Sequence, residues 1–256
     1  MKLLAIGDVI GHVGSEYLRA VLPAFKQKEK VDVVVCNGEN SSSTNAISPR
    51  SAQFLLDSGV DVVTTGNHVF RRRELYETLD REPLLLRPAN YPSSAPGRGW
   101  CTVDRGRYQV TVINLLGLVY LEALGDPFTA LDSLLEEAGH PKFCVVDFHA
   151  EATAEKKALA FYADGRVSAL VGTHTHVQTA DEQILPGGTG FLTDLGMTGP
   201  RLSVLGVKPE LAVAKMKDKL PVRFHNAEGP CIMSGVVLTL DDATGKTTAI
   251  ERINVE

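Results

Sequence analysis

Gly172-Thr173-His174-Thr175-His176 carries two imidazoles two residues apart, directly after the apolar run 167–171. Two such rings can both turn inward from an irregular loop and bind a cation through nitrogen. Four further polar tips each follow an apolar run: Asp8, Glu39 with Asn40, Asn67 with His68, and His149. Each also has an ordinary structural reading. Asp8 and Asn67 would serve as helix caps, Glu39 as a solvated loop acid, His149 as a satisfied strand-end histidine and the histidine pair as polar surface. Taken together the tips offer oxygen and nitrogen donors without thiolate, which suits zinc, manganese or non-haem iron and disfavours iron–sulfur clusters and structural thiolate zinc. Two carboxylates, two amides and three imidazoles exceed the needs of one catalytic zinc, which takes three protein ligands and a water. They match two metals sharing a carboxylate with room left for solvent, the make-up of a two-metal hydrolytic centre.

Positioning these tips falls to alternating strands and helices. Residues 2–6 read as a buried strand ending at Gly7-Asp8, where Gly7 and Gly11 permit a tight turn. Leu18, Val21, Leu22 and Phe25 recur at i, i+3, i+4 and i+7, an amphipathic helix with its lysines on the far side. Residues 31–36 form a second strand, tipped by Asn37-Gly38-Glu39-Asn40. Ser48-Pro49 then starts a helix that Gly59 stops, and 60–65 form a third strand tipped by Gly66-Asn67-His68. This alternation implies right-handed parallel units whose three tips emerge on the same edge of one sheet. Residues 71–80 read as a short helix and the proline-rich 87–99 as a loop. A hairpin of 101–103 with 108–115 around Asp104-Arg105-Gly106 predicts that a second, more antiparallel sheet begins there. A helix over 128–138 stopped by Gly139, a strand over 143–148 tipped by His149, a helix over 154–162 and the strand 167–171 follow. The tail is β-rich, with a hairpin of 183–185 and 189–192 about Pro186-Gly187-Gly188 and strands over 232–240 and 247–255. Ligands of open α/β sheets bind beyond the carboxyl ends of strands, so the tips are expected to converge.

At 256 residues the chain can bury a large core, and a single domain spanning 1–256 is expected. With 44% hydrophobic and 22% charged residues and a net charge of −5, the composition is that of an ordinary globular protein. The absence of a polybasic stretch excludes duplex nucleic acid as a partner. The apolar start over 1–6 is too short for a signal-peptide core, and no run reaches membrane-spanning length, so a cytoplasmic protein with no membrane partner is expected. Cys36, Cys101, Cys144 and Cys231 are scattered without a Cys-x-x-Cys pair and read as reduced, buried small hydrophobes, not ligands.

Gly7-Asp8, Gly38-Glu39-Asn40, Gly66-Asn67-His68, His149 and Gly172 to His176, in that order on βα units, resemble the calcineurin-like metallophosphoesterase superfamily. The closer resemblance is to its bacterial YmdB-like branch, over essentially the whole chain, including Val146-Asp147-Phe148-His149-Ala150-Glu151-Ala152-Thr153 and Thr198-Gly199-Pro200. The resemblance implies an α/β fold of the metallophosphoesterase type, an αββα sandwich of two mixed β-sheets flanked by helices. It implies Asp8, Glu39, Asn40 and His176 as ligands of one divalent metal and Glu39, Asn67, His149 and His174 as ligands of the other. Iron or manganese is the expected pair, with zinc as the alternative. This chain departs from the superfamily pattern at two points: Asp8-Val9-Ile10 lacks the histidine of the usual Asp-x-His, and Glu39 replaces the bridging aspartate. Asn40 is expected to fill in for the missing imidazole, with His12 as the alternative.

The implied activity is hydrolysis of a small phosphodiester, a 2′,3′-cyclic or 3′,5′-cyclic nucleotide, through a hydroxide bridging the metals. His68 would be the catalytic residue, protonating the leaving oxygen or hydrogen-bonding its developing charge. A small-molecule phosphodiester is thus the expected partner, and a homo-oligomer the expected assembly. A phosphomonoesterase on the same site and a nucleotide-binding regulatory protein with slow hydrolysis are the competing readings. An amidohydrolase barrel would carry its His-x-His near the first strand. Around the site, Glu151 and Asp194 are read either as orienting metal-bound imidazoles or as a helix-start acid and a loop acid. Arg71-Arg72-Arg73 is either a phosphate attractor or a solvated helix end, and Met197 and Phe191 pack either beside a nucleobase or in the core.

Overall fold

A computed structural model describes residues 1–42 and 45–256. The chain opens with β1 (Lys2–Ile6), β2 (Asp8–Val9), α1 (Gly11–Glu29), β3 (Val33–Asn37), α2 (Pro49–Asp57), β4 (Val62–Thr64) and α3 (Tyr76–Arg81). It continues through β5 (Trp100–Asp104), β6 (Gln109–Leu116), α4 (Pro127–Glu137), β7 (Phe143–His149), α5 (Thr153–Ala163) and β8 (Ala169–Thr173). The tail holds β9 (Gln183–Ile184), β10 (Gly190–Leu192), β11 (Met197–Pro200), α6 (Pro209–Asp218), β12 (Cys231–Leu240) and β13 (Thr247–Val255). Local chemistry accounts for several boundaries. Ser48 and Ser51 cap α2 reciprocally, each side chain accepting the other's backbone N–H, at 3.1 and 2.9 Å, and Gly59 leaves the helix at φ +100°.

The strands form two mixed sheets, one in the order β2-β11-β12-β1-β3-β4 with β13 on the free side of β12, the other β5-β6-β7-β8-β10-β9. Alternation along each strand then sorts the side chains into three layers. Leu3, Ala5, Val33 and Val35 meet Val110, Val112, Val145 and Val171 between the sheets. Leu4, Ile6, Val34 and Cys36 turn the other way onto Leu18 and Leu22 of α1 and Leu55 of α2. On the far side, Ile113, Leu115, Val146 and Phe148 pack on Leu131 and Leu135 of α4 and Leu159 of α5. Both faces of both sheets are therefore covered, the αββα sandwich. This is why the strand sequences run continuously apolar, without a polar face. Each fully buried Leu or Phe contributes roughly 1.5–3 kcal/mol, so these layers hold the fold and leave the strand tips free for chemistry.

Three elements differ from the sequence reading. The second sheet is antiparallel only at its two edges, β5 on β6 and β9 on β10; β6, β7, β8 and β10 run parallel. The hairpin cue at Asp104 to Gly106 reports local pairing, whereas the α4 and α5 crossovers that make the centre parallel act over longer spans. The β-rich tail is split between the sheets: β9 and β10 extend the second, whereas β11, β12 and β13 join the first, with β12 antiparallel to β1. Residues 71–80 are not one helix: two 3-10 turns, Val69–Arg71 and Arg73–Leu75, precede α3. Cys36, Cys101 and Cys144 are buried, but Cys231 lies at the entry to β12, half-buried, and all four are free thiols. Among the described residues, no helix is long and apolar enough to cross a membrane.

Candidate metal centre

β1, β3 and β4 run parallel in the first sheet, and β7 and β8 run parallel in the second. The polar tips therefore converge across the seam between two sheets, not along the edge of one. Close backbone approach makes this seam. Gly66 lies directly against the His149 ring, where a Cβ would overlap it, and Gly7 lies against the Gly196 carbonyl in the same way. His174 and His176 reach the seam only because both adopt left-handed backbone, at φ +103° and +63°. Such conformations cost on the order of 1–3 kcal/mol each and persist where surrounding bonds hold them. Here the His174 N–H donates to Asp8 Oδ2 at 3.1 Å and the Thr175 N–H to Asp194 Oδ2 at 3.0 Å.

The seven donor side chains fall into two groups that share Glu39. In one, His176 Nε2 lies 3.5 Å from Asp8 Oδ1 and 3.2 Å from Asn40 Nδ2, which is itself 3.4 Å from both Asp8 Oδ1 and Glu39 Oε1. In the other, His149 Nε2 lies 3.2 Å from Glu39 Oε1, 3.1 Å from Asn67 Oδ1 and 3.0 Å from His174 Nδ1. Glu39, His149 and His174 offer ligand atoms all within 4.8 Å of one another. Every inward-facing imidazole is anchored through its other nitrogen: His149 Nδ1 to Thr173 Oγ1 at 2.9 Å, His174 Nε2 to Glu151 Oε2 at 2.9 Å, and His176 Nδ1 to the Leu205 carbonyl at 3.2 Å. Such outer bonds fix the ring orientation and decide which nitrogen is presented.

Asp8, Glu39 and His149 are fully buried. Burial alone would raise the Asp8 carboxyl, but the charge and hydrogen bond of His176 hold it well below the carboxylate range. Glu39 is likewise raised by burial but drawn down to about 2 by His149, and burial of His149 is outweighed by Glu39, which carries the imidazole up to about 9. His68 sits beside this cluster with Nδ1 2.8 Å from Asn40 Oδ1, and its backbone N–H donates to Glu39 Oε2 at 3.0 Å. Burial, opposed by Glu39, lowers its pKa to about 4.

The remaining residues singled out in the sequence separate cleanly. His12 lies outside the cluster, its side chain 80% exposed and 3.5 Å from Glu16. Glu151 does bond an inward-facing imidazole, whereas Asp194 touches none. It holds the Thr175 N–H and pairs with Lys156 Nζ at 2.7 Å, so it positions the loop between the two histidines. Phe191 and Met197 are buried in β10 and β11, Phe191 in the core beneath α5. The arginine run splits: Arg72 pairs with Glu74 at 3.2 Å, while Arg71 donates to the Asn45 carbonyl at 3.0 Å. A buried polar layer beneath the cluster escaped the sequence reading. Asp147 accepts from Thr64 Oγ1 at 2.5 Å, Thr173 Oγ1 at 2.7 Å and Asn37 Nδ2 at 3.2 Å, and burial raises its carboxyl to about 6. The signal was present as a lone acid and an amide inside apolar strand runs.

The sandwich, with this seam of carboxylate, amide and imidazole at its strand tips, is a metallophosphoesterase-type fold. The YmdB-like protein family matches the sequence over residues 4–253, and the chain belongs to that family. A Bacillus subtilis (strain 168) protein named 2′,3′-cyclic-nucleotide 2′-phosphodiesterase is 45% identical over 254 residues, covering 99% of this chain and 96% of its own. Among solved structures, a hypothetical protein from Thermus thermophilus superposes with a TM-score of 0.93 at 38% identity, covering 100% of this chain and 99% of that one. A phosphatase of Mycoplasma pneumoniae superposes with a TM-score of 0.93 at 31% identity, covering 100% of this chain and 93% of that one.

Lys156 and Asp194 are both fully buried, so removing one leaves the other as an uncompensated charge. Lys156→Met is expected to cost about 3–5 kcal/mol in urea unfolding. Lys156→Met combined with Asp194→Leu should recover only part of this, because the Thr175 and Gly196 N–H groups then lose their acceptor.

Proposed function

We propose that this chain is a phosphodiesterase that opens 2′,3′-cyclic nucleotides at a pair of divalent metal ions. The observation that carries the reading is the position of Glu39, buried between the two donor groups, with Oε1 3.2 Å from His149 Nε2 and 3.4 Å from Asn40 Nδ2. The donor set fits such a pair. His149 Nε2 and His174 Nδ1 face each other at 3.0 Å, an approach two lone pairs do not make without a shared proton or cation. Asp8, Glu39, Asn40 and His176 would hold one ion, and Glu39, Asn67, His149 and His174 the other. Oxygen and imidazole donors suit manganese or iron, with zinc also compatible. When bound, the pair supplies Lewis-acid charge for the phosphoryl oxygens and lowers the pKa of a water toward neutrality.

The chain's own groups then orient the reaction. As a ligand, Asn40 would present its oxygen and turn its NH₂ toward His68 Nδ1, which leaves the His68 proton on Nε2. His68 can offer that N–H to the departing O2′, whose charge grows as the P–O2′ bond breaks. The name of the B. subtilis relative supports cleavage of this bond, which would yield a nucleoside 3′-phosphate. The test is turnover of adenosine 2′,3′-cyclic phosphate by manganese-loaded protein, beside 3′,5′-cyclic AMP and p-nitrophenyl phosphate. Preference for the 2′,3′-cyclic diester supports the reading, preference for the 3′,5′ ring moves the substrate class, and preference for the monoester replaces it with a phosphatase. Glu39→Ala is expected to lose both ions by elemental analysis, together with activity. His68→Ala should retain the ions while turnover falls by about 10²–10⁴.

A further inference from the structure

A cavity of about 940 Å³ is lined by none of the seven donors but by segments that contact those carrying them. One wall carries Arg71, three residues beyond His68 and tied to the Asn45 carbonyl at 3.0 Å. The lining also carries Lys208, Arg223 and Phe224, the last with Lys215 Nζ 4.7 Å from its ring centroid on one face, on segments braced against the site. Ala227 N–H donates to the Gly206 carbonyl at 2.9 Å, Gly206 packs on Ile10, and the neighbouring Leu205 carbonyl takes His176 Nδ1 at 3.2 Å. The two acids of the lining face other lining residues: Glu228 lies 3.7 Å from Lys208 and offsets its charge, and Glu16 lies 3.5 Å from His12. Among the described residues, Arg71 and Arg223 form no ion pair with a carboxylate, so the cavity is cationic in a chain whose net charge is −5.

A nucleoside 2′,3′-cyclic phosphate carries its one negative charge on the ring that the metal centre would receive. It has nothing to offer a second cationic wall. A phosphate on the 5′ side of the reacting ribose would match such a wall, and the volume is at the upper end of small-ligand sites. Cations along a groove with an aromatic ring beside them are also how single strands are held without sequence preference. We infer that the cavity binds the 5′-phosphodiester and preceding nucleotide of a short oligoribonucleotide whose 3′ end is the 2′,3′-cyclic phosphate. Arg71 and Arg223 contact the bridging phosphate, and the Phe224 ring lies against the preceding base. The inference rests on the phosphodiesterase reading of the metal centre.

Three substrates test it: adenosine 2′,3′-cyclic phosphate, the same nucleotide carrying a 5′-phosphate, and the dinucleotide ApA ending in a 2′,3′-cyclic phosphate. The dinucleotide is expected to exceed the plain mononucleotide by about tenfold or more in kcat/KM, and Arg71→Ala/Arg223→Ala should bring that ratio close to one. Equal rates for dinucleotide and mononucleotide, a gain confined to the 5′-phosphorylated mononucleotide, or a preference that survives the double substitution would each overturn it. Binding is read separately by fluorescence anisotropy on metal-free protein, using a 5′-labelled ApA ending in a 3′-phosphate. About tenfold weaker binding by the double variant is expected, and unchanged binding counts against the cavity. Loss of hydrolysis of all three substrates with this binding intact would instead mark failure of the phosphodiesterase reading.

Discussion

Two carboxylates, Asp8 and Glu39, are buried in one place, and the structure around the seam is arranged to make that tolerable. Removing an ionised group from water costs several kcal/mol unless an opposite charge and hydrogen bonds replace the lost hydration. The chain supplies the replacement with His149 and His176, both of which are drawn toward the protonated form by the acids they face. Protons on these imidazoles and the divalent ions proposed for the same atoms would be alternative ways to balance the charge. Metal uptake at such a site would therefore release protons.

The carboxylates and imidazoles arrive from different sheets, so the seam must be held in register. Asp147 of β7 does this by accepting from Asn37 of β3 at 3.2 Å, Thr64 of β4 at 2.5 Å and Thr173 of β8 at 2.7 Å. Asn114 of β6 adds a bond to the Thr65 N–H at 2.9 Å. Every one of these groups is buried, so a slip of one sheet against the other would leave several polar atoms unsatisfied at once. Packed hydrophobic layers bring the sheets together, while this polar layer specifies how they meet.

The tail contributes in a third way. β11 pairs with β2 beside Asp8 and with β12, so the segments that follow it return to the mouth of the site. They supply the Leu205 carbonyl that orients His176 and the cations Lys208 and Arg223, which line one cavity with Arg71. Binding and catalytic roles often fall to such connecting segments on a rigid scaffold, where their backbone is positioned by packing but their side chains are free.

Much of this was legible in the linear chain. Apolar runs interrupted at Gly7, Gly38, Gly66 and Gly172 identify strands with polar tips, because a strand buried on both faces has nowhere to put a polar residue except its end. Ser48-Pro49 and Gly59 mark α2, and Gly139 the end of α4, because caps and left-handed stops are chemistry of the adjacent residues. The parallel centre of the second sheet and the return of β12 to pair with β1 were not legible, since strand neighbours are chosen by packing across the whole chain. For the same reason His12, the alternative to Asn40, lies exposed, and of the two readings of Asp194 it is the loop acid that holds, bonding the Thr175 N–H. The sequence by itself determined which donors exist and the strands and turns that carry them, because these follow from local pattern. Only the tertiary structure decided that His174 and His176 adopt left-handed backbone and that the seven donors divide about Glu39. Both depend on contacts between residues far apart in the chain, whose geometry no local pattern encodes.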